Sequence, residues 1–395
     1  MNKFIPLCVP NFEGNEKKYV DEAVEQGWVS TGGAYISELE AKMADFLKIE
    51  EVAACQSGTS AIHLALVEAG VEPGDMVIVP TLTFIAAVNP VRYQFATPIF
   101  MDCDDSLCMD SQKLKTFCEE ECTFNGANLI YNATGNKIKA LIVVHVFGNL
   151  ADMEQIIDIC GKYHIRVIED ATEALGSRFV SGRYAGKYAG TIGDFGAFSF
   201  NGNKIITTGG GGAVTASNLN AVKHMRYLST QSKDDPHYYI HNEIGYNYRM
   251  TNVQAAIGVA QMEELPEFIL RKQNNYEKYK KIFEDYSLGK ILEFRPGVDS
   301  NKWFYSLKVD KTKVNVSMRD IITSLENLGV GSRAIWGLIH EQLPYKDSPK
   351  YKIEKAKYYS SCILNIPSST NLKDEDIHYV AKTIMKVLEE YSNEQ

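Results

Sequence analysis

From about residue 50 to residue 215 short apolar runs alternate with amphipathic stretches. The runs are EVAAC (51–55), MVIVP (76–80), TPIFMDC (97–103), KALIVVHVF (139–147), RVIED (166–170), GAFSF (196–200) and GAVTA (212–216). Short β-branched runs separated by helix-period segments predict an α/β domain whose mainly parallel sheet is buried on both faces. In open sheets of this kind the chemistry sits beyond the carboxyl ends of the strands. That rule singles out positions 57–59, 80–84, His145, 170–173 and 199–204.

The pattern turns helical over 251–285, with Pro266 expected at a kink or junction. Beyond it KWFYSLKV (302–309) reads as a strand, MRDIITSLENLG (318–329) as a helix closed by Gly329, and DEDIHYVAKTIMKVLEEY (374–391) as a last helix. The expected division is a large domain over 1–255 and a smaller α+β domain over 256–395, since 395 residues are long for one core. The basic run RKQNNYEKYKK (271–281) reads as a solvated helix face.

Composition narrows the partners. Hydrophobic residues make up 45% and charged residues 23%, which is ordinary globular usage. A net charge of -9 argues against general adhesion to nucleic acid or anionic lipid and leaves small molecules and other subunits. No apolar stretch reaches the roughly 20 residues of a bilayer span, and the opening MNKFIPLCVPNFEGNEKKY is too polar for a signal segment, so a cytoplasmic location is expected. Eight scattered cysteines read as reduced thiols, and the spacing of Cys103, Cys108, Cys118 and Cys122 matches no common zinc pattern, so no metal is expected.

The stretch AFSFNGNKIITTGGGGAVTAS (197–217) carries the sharpest chemical signal. Lys204 follows an apolar strand and precedes a glycine turn, a low-dielectric setting that favours a neutral, nucleophilic amine and hence a Schiff base. Pyridoxal phosphate further requires an acid for its ring nitrogen, a platform for its ring and an anion site. Asp170, closing RVIED, offers the acid, and the same residue reads equally as a helix cap. Phe84 offers the platform, with a core role as the alternative. Ser57, Gly58 and Thr59 open the helix of QSGTSAIHLAL, where free amides and the dipole suit a phosphate, and a plain N-cap explains the same residues. Glycines 209–212 precede a strand rather than a helix, fit no nucleotide-binding loop, and read as a tight turn.

With these residues assembled, the chain resembles the DegT/StrS type of nucleotide-sugar aminotransferases along essentially its whole length. The matching segments include GWVSTGGAYISELE, SGTSAIHLAL, PTLTFIAAVNPV, VVHVFGNLADM, VIEDATEALGS, GDFGAFSFNGNKIITTGGGG, GYNYRMTNVQAAIG and SRAIWGLIHEQLPY. The resemblance implies the aspartate aminotransferase fold (fold type I), pyridoxal 5'-phosphate bound covalently to Lys204, Ser199 with Gly58 and Thr59 on its phosphate, Asp170 at the ring nitrogen and Phe84 on the ring face. It also implies a homodimer with shared active sites, Asn247 reaching the phosphate of the partner subunit's site. Glu173 stands where many relatives carry glutamine near the cofactor's phenolic oxygen, and 118–137 is longer than usual with no chemical role evident.

The implied reaction moves an amino group from L-glutamate to C4 of a nucleotide-linked 4-keto-6-deoxy sugar. The wording of the motifs favours a UDP-linked N-acetylated sugar, as in legionaminic acid or bacillosamine routes; a GDP-linked sugar, as in perosamine synthesis, is the alternative. A cofactor-binding regulator without turnover is the alternative of another class. Trp28, Arg249, Trp336 and His340 lie in matching segments and are the candidates for lining the sugar-nucleotide pocket.

Overall fold

A computed structural model describes residues 4–392. Nine strands of one sheet arise in order between residues 53 and 216: β1 (Ala53–Cys55), β2 (Met76–Pro80), β3 (Thr97–Met101), β4 (Cys122–Phe124), β5 (Leu129–Tyr131), β6 (Lys137–Val144), β7 (Arg166–Asp170), β8 (Phe195–Ser199) and β9 (Gly212–Ala216). With β13 (Lys350–Tyr351) they form one ten-stranded sheet, ordered β1-β9-β8-β7-β6-β2-β3-β13, with the β4–β5 hairpin joined to β6. Every apolar run in the sequence became one of these strands, and β2 is buried at all five positions. Apolar residues on both faces leave such a strand no exposed side, so it takes an interior place in the sheet.

The pairs β8–β7, β7–β6, β6–β2 and β2–β3 are parallel, while β9 runs antiparallel to both β1 and β8. The carboxyl ends of β1, β2, β6, β7 and β8 therefore open at one edge. The segment 118–137, which carried no chemical signal, contributes the β4–β5 hairpin that extends the sheet at the start of β6.

Two helices frame that edge. The helix α1 (Gly58–Glu68) follows β1 after a two-residue link and is capped by Ser57, whose hydroxyl accepts from the Ser60 amide at 3.0 Å. The long helix α2 (Asn252–Ile282) starts at a capping box between Thr251 and Gln254 and runs on past Pro266, so no junction between elements falls at that proline. Neither is the basic run a solvated face throughout. Lys272, Asn275, Tyr276 and Tyr279 point into the protein, because the helix lies between two cores and shows a buried stripe to each.

The second core gathers Tyr276, Tyr279, Leu307, Ile321 and Val380 with Ile5 from the start of the chain. It packs a four-stranded antiparallel sheet, β10 (Gly289–Ile291), β11 (Tyr305–Val309), β14 (Ile363–Ile366) and β12 (Arg333–Ala334) in that order, against α3 (Met318–Asn327) and α4 (Asp374–Glu390).

Candidate active site

A cavity of about 500 Å³ opens where the strand ends of the large sheet meet the start of β11 and strand β12. Its wall holds Ser57, Gly58 and Thr59 from α1, Phe84 after β2, Asp170 and Glu173 after β7, and Ser199 and Lys204 after β8. All eight residues expected to hold the cofactor within one chain are thus brought together by the parallel strand order, although they span almost 150 positions.

Gly58 is required by close packing: a Cβ there would lie 2.8 Å from Thr172 Cγ2 and 2.9 Å from Ser199 Cβ. The same holds for Gly212, where a Cβ would come within 2.5 Å of the Ser57 carbonyl carbon, so β9 passes directly beneath the amino end of α1. Gly209 turns at φ +77°, as the tight-turn reading expects, and Gly210 and Gly211 also line the cavity.

Lys204 is largely buried, its side chain 12% exposed, and faces a carboxylate and a ring. Its Nζ lies 3.6 Å from Glu173 Oε1 and 4.2 Å from the centroid of Trp303. Trp303 is itself fixed, stacked on Phe304 with centroids 3.9 Å apart and donating Nε1–H to the Asn203 carbonyl at 2.7 Å. Behind it, the buried Lys272 ammonium donates to the carbonyls of Trp303 at 2.7 Å and Ser368 at 2.6 Å.

Asp170 accepts from the Thr172 amide at 3.0 Å, and burial raises its pKa against the opposing pull of that hydrogen bond and of Lys204. Glu173 is pushed up to about 7 by burial, with Lys204 and the Phe147 amide resisting the rise. That amide donates to Glu173 Oε2 at 2.9 Å, from a backbone held at φ +56°, a region that costs a non-glycine residue energy and is met at functional sites. Trp336 also lines the cavity, its ring 4.8 Å from Phe147.

Four expected residues fall outside this cavity. His340 is buried with Nδ1 2.6 Å from Thr81 Oγ1, and burial lowers its pKa, so it packs as a core histidine. Arg249 gives its guanidinium to Glu40 and to the Ala54 carbonyl, which ties down β1; a captured cation of this kind is not free for a substrate. Trp28 is 59% exposed, and its carbonyl accepts from Asn252. Asn247 is exposed and pairs through its backbone with Thr230. Sequence reasoning passed over Phe147, Trp303, Asn203 and Arg333, which also line the cavity. Only Trp303 offered a signal, an aromatic beside an apolar strand, and that pattern equally describes a core residue.

The family model for DegT/DnrJ/EryC1/StrS aminotransferases matches residues 10–385. The chain belongs to that family. Among curated relatives, GDP-perosamine synthase of Escherichia coli O157:H7 is 36% identical over 97% of this chain and 98% of its own length. The enzyme of the same description from Caulobacter vibrioides is 34% identical, covering 97% and 98%. Among solved structures, the aminotransferase TlmJ from Streptoalloteichus hindustanus superposes with a TM-score of 0.86 at 24% identity, over 98% of this chain and 99% of that one, a likeness of fold.

This family member is therefore a pyridoxal phosphate-dependent sugar aminotransferase of the aspartate aminotransferase fold. The cavity fits that cofactor by its donor set. One buried acid, one enclosed lysine and the amino end of a helix share a wall, and the helix's first amides lack partners within it. Nothing in the comparisons supports a regulator without turnover, and the GDP-linked alternative accords with the relatives better than the UDP-linked expectation does. Among the described residues no helix is long and apolar enough to cross a membrane.

Proposed function

We propose that the enzyme transfers the amino group of L-glutamate to C4 of a GDP-linked 4-keto-6-deoxy sugar. The observation that carries the chemistry is the enclosure of Lys204 and Asp170 in one cavity, and full-length relatives described as GDP-perosamine synthases support the sugar and nucleotide. When bound, pyridoxal phosphate supplies an aldehyde for the amine and a ring that accepts electrons.

The protein's own residues do the rest. Lys204 Nζ takes and returns the proton at the reacting substrate carbon, serving both amine-transfer steps. Asp170 places its carboxyl at the floor of the cavity, where as a carboxylate it would pair with a protonated ring nitrogen. Gly58 and Thr59 present helix-end amides, with Ser199 beside them, to the phosphate. Glu173 sits against Lys204, Nζ to Oε1 3.6 Å, with its carboxyl pushed up to about 7 by burial.

We further propose a homodimer in which the partner's Asn247 completes the phosphate site. Supporting this, Asn247 is exposed, and nearby Tyr238, Tyr239 and Ile244 leave large apolar surface in solvent. A second core that takes over within α2 supports a division into domains over 1–255 and 256–395, although Trp303, Ile339 and Tyr359 pack in the first core and β13 joins the large sheet. A panel of GDP- and UDP-linked 4-keto-6-deoxy sugars, assayed for glutamate consumption, tests the reading. Amination confined to the UDP-linked members would overturn it.

A further inference from the structure

Three segments reach the cavity beside Lys204, at Phe147, Glu173 and Trp303, and one side chain outside its lining ties them together. Asn301, on the approach to β11, is fully buried. Its Nδ2 donates to the carbonyls of Glu173 and Leu175, each at 3.0 Å, and its Oδ1 accepts from the Trp303 amide at 3.0 Å. Two carbonyls at one end and an N–H at the other admit a single orientation of the side-chain amide. The backbone N–H of Asn301 donates to the Ser177 hydroxyl at 3.0 Å, and that hydroxyl donates to the Gly148 carbonyl at 2.7 Å. Ser177 is also fully buried. Gly148 turns at φ +87° and leaves the room this network needs, since a Cβ there would collide with Asn301 Oδ1.

We propose that Asn301 is a positioning residue for amine transfer, holding Glu173 and Trp303 in register around the amine of Lys204. The inference rests on the role of Lys204 given above. Glu173 follows β7 of the large sheet, whereas Trp303 leads into β11 of the second sheet, so their relative place is set by what bridges them. Asn301 grips the main chain of both through one amide. The other anchors act on one partner alone: the Lys272 ammonium on the Trp303 carbonyl, and the Phe147 amide on the Glu173 carboxyl. Asp170, the other charged neighbour of Lys204, is held by the Thr172 amide and lies outside this network. Without the Asn301 side chain two carbonyls and one N–H lose their partners in a buried place, and the turns that carry them move to find others. A shift of about 1 Å in the groups around a reacting atom costs about 100-fold in rate.

The absorbance of the bound cofactor in the holoenzyme, titrated against pH, tests the assignment together with kcat per loaded site. That absorbance reports the proton on the Lys204 nitrogen, which the Trp303 ring and the Glu173 carboxylate both favour. Asn301→Ala should move the midpoint down by about one pH unit and lower kcat about 10- to 100-fold. Ser177→Ala loosens the same network and should move both readings in the same direction, which keeps the test open should Asn301→Ala not fold. Val380→Ala, which opens a cavity in the second core, is the control for lost stability alone and should keep the parental midpoint and kcat. Parental values in folded Asn301→Ala overturn the assignment, and so does an equal shift in Val380→Ala. The titration uses neither sugar nor glutamate, so a wrong substrate shows in the panel of sugars and a wrong role for Asn301 shows here.

Discussion

The ammonium of Lys204 lies 4.2 Å from the centroid of the Trp303 ring, so the residue expected to do the covalent chemistry is covered by a side chain that arrives about 100 positions later. The ring excludes water on one side and attracts the cationic form of the amine. Trp303→Leu removes both effects and the Nε1 donor to Asn203. It should lower kcat/KM for the sugar about 10- to 100-fold, with the fold retained by circular dichroism.

Lys204→Ala removes the proposed covalent anchor and proton carrier together. Amine transfer should fall by at least about 10⁴-fold, and the cofactor should be lost on dialysis where the parent enzyme retains it. Retention of full activity would sink the assignment of Lys204.

Asp170→Asn keeps the shape of the cavity floor and removes its charge. A neutral amide gives a protonated ring nitrogen no counter-charge, so kcat should fall about 100-fold or more, with cofactor affinity changing less. Single-turnover absorbance with glutamate separates the two effects.

Glu173 makes the stability of the cofactor-free protein depend on pH. Its ordinary value of 4.5 is raised to about 7 by burial, so the folded state holds a proton that the unfolded state releases. Stability is then fullest below pH 4.5 and is lost as pH rises through about 7, by about 3 kcal/mol from this group. Glu173→Gln should abolish that component, and denaturant midpoints at pH 5 and pH 7.5 check it.

Lys272→Met leaves the carbonyls of Trp303 and Ser368 without the ammonium that now bridges them. Two buried acceptors losing a charged donor should cost about 2–4 kcal/mol in chemical denaturation. Because Trp303 covers Lys204, the same variant should also raise KM for the sugar.

The strands and most of the cofactor site were legible in the sequence, because both are local signals. A buried strand is a continuous apolar run, as in MVIVP, and the parallel-sheet rule then assigns the residues after each run to one edge. Lys204, Asp170 and Ser57 stand out that way. Contacts between distant segments left no such mark. Nothing local shows that Arg249 is captured by Glu40 or that His340 turns onto Thr81, since each pair spans more than 200 positions. Lys272 shows the same limit: within a basic run it reads as solvated, yet the helix is wedged between two cores, and burial is decided by what packs against a residue. The sequence by itself determined the family of strands, the cofactor class and the lysine proposed to carry its chemistry. Only the tertiary structure decided which rings and charges surround that lysine, because those depend on how the C-terminal part of the chain closes over the sheet.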